Sequence, residues 1–154
     1  AKEEARRRGA AEAIMLDAAG YLSEGTGQNL FLVREGTVFT PPLSAGILGG
    51  ITRDAVIRLA RDAGYEVREE SLPRELLHVC DEAFFTGTAA ELTPIRSVEG
   101  IPVGEGRPGP VTRDIQGRFL GIARGELPDP YGWRTLVPAR PAAPAVEVAL
   151  PVTV

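Results

Sequence analysis

A chain of 154 residues, 44% hydrophobic and 25% charged, suits one soluble domain with a real core or the larger half of a two-domain protein. Its net charge of -4 and isoelectric point near 5.1 exclude nucleic acid as the main partner, because phosphate backbones are bound through concentrated positive charge. One cysteine, Cys80, excludes an internal disulfide framework, and one histidine, His78, leaves no ligand set for a structural metal. No apolar run approaches the roughly twenty residues of a membrane span, and without a signal-peptide pattern a cytoplasmic protein is expected.

In chain order, residues 1–8 read as the last turns of a helix that Gly9 closes, with Arg6, Arg7 and Arg8 on a solvated face. The chain has no initiator methionine and is expected to begin inside a longer sequence. Residues 12–17 predict a strand that turns at Ala18-Ala19-Gly20. Residues 29–34 and 37–40 predict a hairpin through Glu35-Gly36, broken at Pro41-Pro42. From 52 to 63 the apolar residues Ala55, Val56, Leu59, Ala60 and Ala63 recur at helical spacing, with Arg53, Asp54, Arg58, Arg61 and Asp62 on the opposite face, and Gly64 ends the helix. A strand over 65–70, a short helix over 73–77 and a strand over 82–86 follow. A second hairpin is expected at Glu99-Gly100, between 93–98 and 101–103. After a Gly/Pro-rich loop over 104–110, residues 111–124 predict a closing helix. Trp133 reads as an anchor for the C-terminal segment, and the Pro/Ala-rich residues 138–154 as an extended tail. There is no internal repeat.

Three short segments carry the chemistry. Gly49-Gly50-Ile51-Thr52 sits where a loop becomes an amphipathic helix, so free N–H groups and the positive end of the helix dipole face an anion. Thr52 either caps that helix or gives its hydroxyl to a phosphate oxygen. Thr86-Gly87-Thr88 follows an aromatic strand and either offers hydroxyls to the same anion or satisfies the strand end. Glu24, before a Gly-x-Gly turn, is either a lone functional carboxylate or a solvated loop residue. His78 and Cys80, two apart and without a third orienting group, read as structural.

Taken together, Ser23-Glu24-Gly25-Thr26-Gly27-Gln28-Asn29-Leu30-Phe31, Gly50-Ile51-Thr52-Arg53-Asp54, the run over 81–91, Thr93-Pro94-Ile95 and the run over 104–112 resemble the class IV, pyridoxal-phosphate-dependent aminotransferases. Within that class the motifs are most similar to those of branched-chain amino acid aminotransferases. The resemblance covers about residues 1–133 and implies a mixed α/β fold: a strand-rich, partly closed mixed sheet flanked by helices. Residues 1–137 would be the large cofactor-binding domain, without its smaller N-terminal companion.

The resemblance implies pyridoxal 5'-phosphate (PLP) as cofactor. Glu24 would bond the pyridine nitrogen, Leu48 would pack on the ring, and Gly50, Ile51, Thr52 and Thr88 would hold the phosphate. Thr88 and Ala89 would receive the substrate α-carboxylate. The implied reaction is amino transfer between Leu, Ile or Val and 2-oxoglutarate in amino-acid biosynthesis, by a homo-oligomer in the full-length form. The lysine that carries the cofactor is expected upstream of Ala1, because Lys2, the only lysine, sits among Glu3, Glu4 and Arg6 on an exposed helix. No catalytic residue is therefore expected within the chain. D-amino acid aminotransferase, aminodeoxychorismate lyase and a non-catalytic truncated binding module are the alternatives.

Overall fold

The computed structural model describes residues 1–138, so the tail expected over 138–154 lies, past its first residue, outside the described residues. The architecture is built around β3 (Asn29–Arg34), in which the five residues from Asn29 to Val33 are all buried. Such a run, with no in–out alternation, means that both faces of the strand are covered. Phe31 and Val33 face a core shared with two helices, α2 (Ile51–Asp62) and α3 (Pro110–Arg124). Leu30 and Leu32 face a second core with Leu72, Leu77 and Cys80.

One edge of β3 pairs along most of its length with β6 (Glu82–Gly87), which in turn pairs with β7 (Glu91–Pro94). The other edge is shared between β2 (Leu22–Gly25), at Asn29, and β4 (Thr37–Thr40), over Leu32 to Arg34. β1 (Ile14–Leu16) pairs with β2, and β5 (Val67–Glu69) runs parallel to β4, completing a mixed sheet. The short helix α1 (Lys2–Arg7) leads into it, and the exposed pairs Arg7–Glu3 and Arg8–Glu4 make its solvated face. Phe31 and Phe84 are cross-strand partners whose rings stack with centroids 5.1 Å apart.

Both hairpins form at the expected turns. Glu35 and Gly36 have φ of 51° and 77°, and Glu99 and Gly100 have 51° and 81°, the left-handed pair that a two-residue turn between twisted strands requires. The second hairpin is shorter than expected, joining only β8 (Ser97–Val98) to β9 (Ile101–Pro102). Thr93 and Pro94, expected in its first arm, instead belong to β7, where they lie opposite Phe85 and Phe84. The short helix expected over 73–77 is a 3-10 turn, Arg74–His78, too brief to close α-helical bonds.

Two buried charged residues fasten the two helices. The Glu82 carboxylate accepts the Val111 N–H at 3.0 Å and the Thr112 N–H at 2.8 Å, so it sits under the N-terminus of α3. Gly109 is needed there, because a Cβ would overlap the Glu82 carboxyl group. Arg53, expected on the polar face of α2, is instead 5% exposed, because it bonds the Pro41 carbonyl at 3.0 Å and Glu69 at 2.9 Å, tying α2 to β5 and to the loop after β4. At the C-terminal end, Trp133 stacks on Tyr131, whose hydroxyl bonds Asp62 at the end of α2.

Candidate functional site

The register of three strands places Glu24 opposite Asn29, and Asn29 opposite Thr86. Directly opposed residues of antiparallel strands share a face, so these polar groups form a row at the end of β3 where α2 begins. A cleft of about 520 Å³ opens over that row. The sequence-expected residues Glu24, Leu48, Gly50, Ile51, Thr52 and Thr88 all line it. Ala89 does not: it is exposed, one residue beyond Thr88 in the turn after β6.

Glu24 lies within strand β2, not on a loop, and is half-buried. Its Oε2 accepts from Asn29 Nδ2 at 3.0 Å and from the Leu48 N–H at 3.1 Å. Oε1 takes no hydrogen bond from a described residue, which leaves one oxygen for a ligand donor.

At the other wall, Gly50 is the N-cap of α2, with φ -62° and ψ 139° and no side-chain cap. Thr52, at the second helical position and 7% exposed, therefore does not cap the helix. The N–H groups of Ile51 and Thr52 make no hydrogen bond to a described residue, so the positive end of α2 is open toward the cleft. Leu48 and Ile51 are 73% and 80% exposed, large apolar side chains left at the cleft mouth.

The floor has one further polar group. Among the described residues, Thr86 Oγ1 is one of three buried side-chain atoms without a partner, and of those three residues only Thr86 lines the cleft. The Gly27 and Gly87 turns come together over it, where a Cβ on Gly87 would lie 3.3 Å from the Gly27 carbonyl oxygen. Thr26, also on the lining, has its hydroxyl committed to Glu12 at 2.6 Å. Burial pushes the Glu12 carboxyl up, but hydrogen bonds from Thr26, the Ala13 N–H and Lys2 outweigh it and hold the group below its ordinary value.

Lys2 is paired with Glu12 at 3.4 Å and does not line the cleft. His78 and Cys80 are likewise outside it. Burial pushes the Cys80 thiol up to about 11, which suits a core residue and not a nucleophile.

A lone carboxylate with one free oxygen, an unpartnered helix N-terminus, four threonines and exposed leucine and isoleucine thus surround a volume inside the ~300–1,000 Å³ range of small-molecule sites. They suit a flat ligand with a phosphate at one end and a protonated nitrogen at the other. The family model described as amino-transferase class IV matches residues 1–98, more than half of the chain. The chain belongs to the class IV aminotransferases.

Among its relatives, the branched-chain-amino-acid aminotransferase of Escherichia coli strain K12 is 58% identical over 130 residues, covering 84% of this chain and 42% of that protein. A crystal structure of the Escherichia coli enzyme superposes with a TM-score of 0.83 over 85% of this chain and 44% of that chain, at 58% identity. The branched-chain amino acid aminotransferase from Thermobaculum terrenum, in its PLP form, superposes with a TM-score of 0.79 at 42% identity, over 81% of this chain and 41% of that chain. The chain therefore spans less than half the length of the relatives it matches. No helix among the described residues is long and apolar enough to cross a membrane.

Asn29 is a polar cleft residue to which the sequence reading gave no role. The available signal was an asparagine heading the all-apolar run Leu30 to Val33, a residue type disfavoured in strands and, here, only 4% exposed.

Proposed function

We propose that the cleft is the pyridoxal 5'-phosphate site of a branched-chain amino acid aminotransferase, which moves amino groups between Leu, Ile or Val and 2-oxoglutarate. The observation that carries this reading is the convergence of Glu24 and the open N-terminus of α2 on one cleft. Residues 1–137 would form the cofactor-binding domain, in a protein that works as a homo-oligomer. The PLP form of the Thermobaculum terrenum relative supports the choice of cofactor.

The residues present fit the cofactor. Glu24, through Oε1, would hold the pyridine nitrogen in its protonated form, and a half-buried carboxylate with its other oxygen already held is suited to do so. The N–H groups of Ile51 and Thr52, with the hydroxyls of Thr52 and Thr88, would take the phosphate. Gly50 lets the backbone approach closely, and Leu48 offers an apolar surface to one ring face. Bound there, the cofactor supplies an electron-withdrawing ring that makes the proton on the substrate Cα removable. The turn at Thr88 and Ala89 would receive the substrate carboxylate on backbone N–H groups. Lys2, paired with Glu12 and off the cleft lining, does not serve as the base, so the amine that binds the cofactor and carries the proton must come from outside these 154 residues.

Pyridoxamine 5'-phosphate needs no lysine to bind, so calorimetric titration into the 154-residue chain tests the site directly. Saturable binding is expected, weakened about tenfold by Glu24→Gln, the loss of one charged hydrogen bond. No binding by the folded chain would refute the cofactor site. Substrate is tested on the complete product of the gene, which should aminate 2-oxoglutarate with Leu, Ile and Val. Activity confined to D-amino acids or to aminodeoxychorismate would instead assign another member of the class.

A further inference from the structure

Asn29 joins the Glu24 side of the cleft to the loop that leads into α2. Its Nδ2 donates to Glu24 Oε2 at 3.0 Å on β2 and to the Leu48 carbonyl at 2.8 Å on the loop before α2. Its Oδ1 lies against Gly50, so closely that a Cβ on that residue would overlap it. The orientation of the amide is forced, because both neighbours of Nδ2 are acceptors and a flipped amide would set oxygen against oxygen twice. Asn29 is 4% exposed, so water is a poor substitute for these bonds.

The same contacts fix Glu24. Oε2 is held twice, by Asn29 and by the Leu48 N–H, and Leu48 is itself held by Asn29 through its carbonyl. The Gly50 N–H also bonds the Leu48 carbonyl, at 2.8 Å, so this oxygen joins the carboxylate wall to the first residues of α2. A carboxylate with both bonds on one oxygen presents the other at a set position, and it does so without a hydrogen bond of its own that a ligand must first displace.

On the cofactor reading above, we infer that Asn29 is a positioning residue: it holds the Glu24 carboxylate at a fixed distance from the N-terminus of α2, so that nitrogen and phosphate of one ligand are gripped together. Neither neighbour in residue type does this. Asp keeps the shape but has no donor for Glu24 or for the Leu48 carbonyl, and Ala reaches neither.

A double-mutant cycle on the full 154-residue chain separates positioning from general packing. The readout is the affinity for pyridoxamine 5'-phosphate, with circular dichroism confirming the fold of each variant. Asn29→Ala should weaken binding about tenfold in the native background, the effect of one lost bond to a charged group, but less than about twofold when Glu24→Gln is already present. Asn29→Asp should weaken it at least as much as Asn29→Ala, and it carries the test if the alanine variant fails to fold. Faster amide exchange at Leu48 in either variant is expected, since its N–H shares Oε2 with Asn29. Equal losses from Asn29→Ala in the native and Glu24→Gln backgrounds would overturn the role, whereas no binding by the unsubstituted chain would overturn the cofactor reading on which it rests.

Discussion

Replacing Glu82 should test how α3 is held in place. The residue is 5% exposed, and its two oxygens accept the first free N–H groups of α3, at 3.0 and 2.8 Å. Glu82→Ala removes two charge-assisted bonds and leaves two buried donors without partners, and it also removes the negative charge that complements the helix dipole. Each bond to a charged group is worth about 1.5–3 kcal/mol, and the dipole up to about 2 kcal/mol in a partly buried setting. A loss of about 4 kcal/mol is therefore expected, a large part of the ~5–15 kcal/mol typical of a domain. With a urea dependence of about 2 kcal/mol per molar, the unfolding midpoint followed by far-ultraviolet circular dichroism should fall by about 2 M. Glu82→Gln keeps one acceptor oxygen and should fall about half as far. A drop below about 0.5 M for the alanine variant, at unchanged slope, would show that α3 is anchored by its apolar face alone and refute the reasoning.

Three smaller predictions follow from the same geometry. Gly50→Ala puts a Cβ onto the buried Asn29 Oδ1 and exchanges a tolerated N-cap for a poor one, so it should cost more in urea unfolding than the ~1 kcal/mol of the cap alone and abolish calorimetric binding of pyridoxamine 5'-phosphate. Hydrogen bonding by Arg53, together with the charges of Arg53 and Arg61, holds the Glu69 carboxyl below its ordinary 4.5, so the stability this contributes is present above pH 4.5 and is lost as the pH falls through the lowered value. Glu69→Gln should flatten that acid limb in unfolding curves measured on either side of it, and an unchanged limb would count against the pair. Cys80, with its thiol raised to about 11 by burial, should react with Ellman's reagent at neutral pH only after urea is added; prompt labelling of the folded chain would contradict the core placement.

Much of the local structure was legible because local chemistry decides it. Glu35-Gly36 and Glu99-Gly100 have few options but a tight turn, and the spacing of Val56, Leu59 and Ala60 allows α2 only one buried face. The elements misjudged were those whose limits depend on neighbours. Whether Thr93 and Pro94 serve β7 or β8 is settled by the partner strand, β6, which no local pattern reveals. Thr52 looked like a cap because it precedes an amphipathic run; the helix starts one residue earlier, at Ile51, with Gly50 as cap.

By itself the order of residues determined the family and the α/β class and pointed to six residues, Glu24, Leu48, Gly50, Ile51, Thr52 and Thr88: long motifs such as Ser23 to Phe31 and Gly50 to Asp54 are specific enough to be read without coordinates. Only the tertiary structure decided that those groups share a cleft, that Ala89 stands outside its lining, and that Asn29 links its walls. The reason is physical: a motif records which side chains are adjacent along the chain, whereas Glu24, Asn29 and Thr86 meet through strand register, and α2, which starts at the cleft, packs on β3 through the core of Phe31, Val33, Val56 and Ile57.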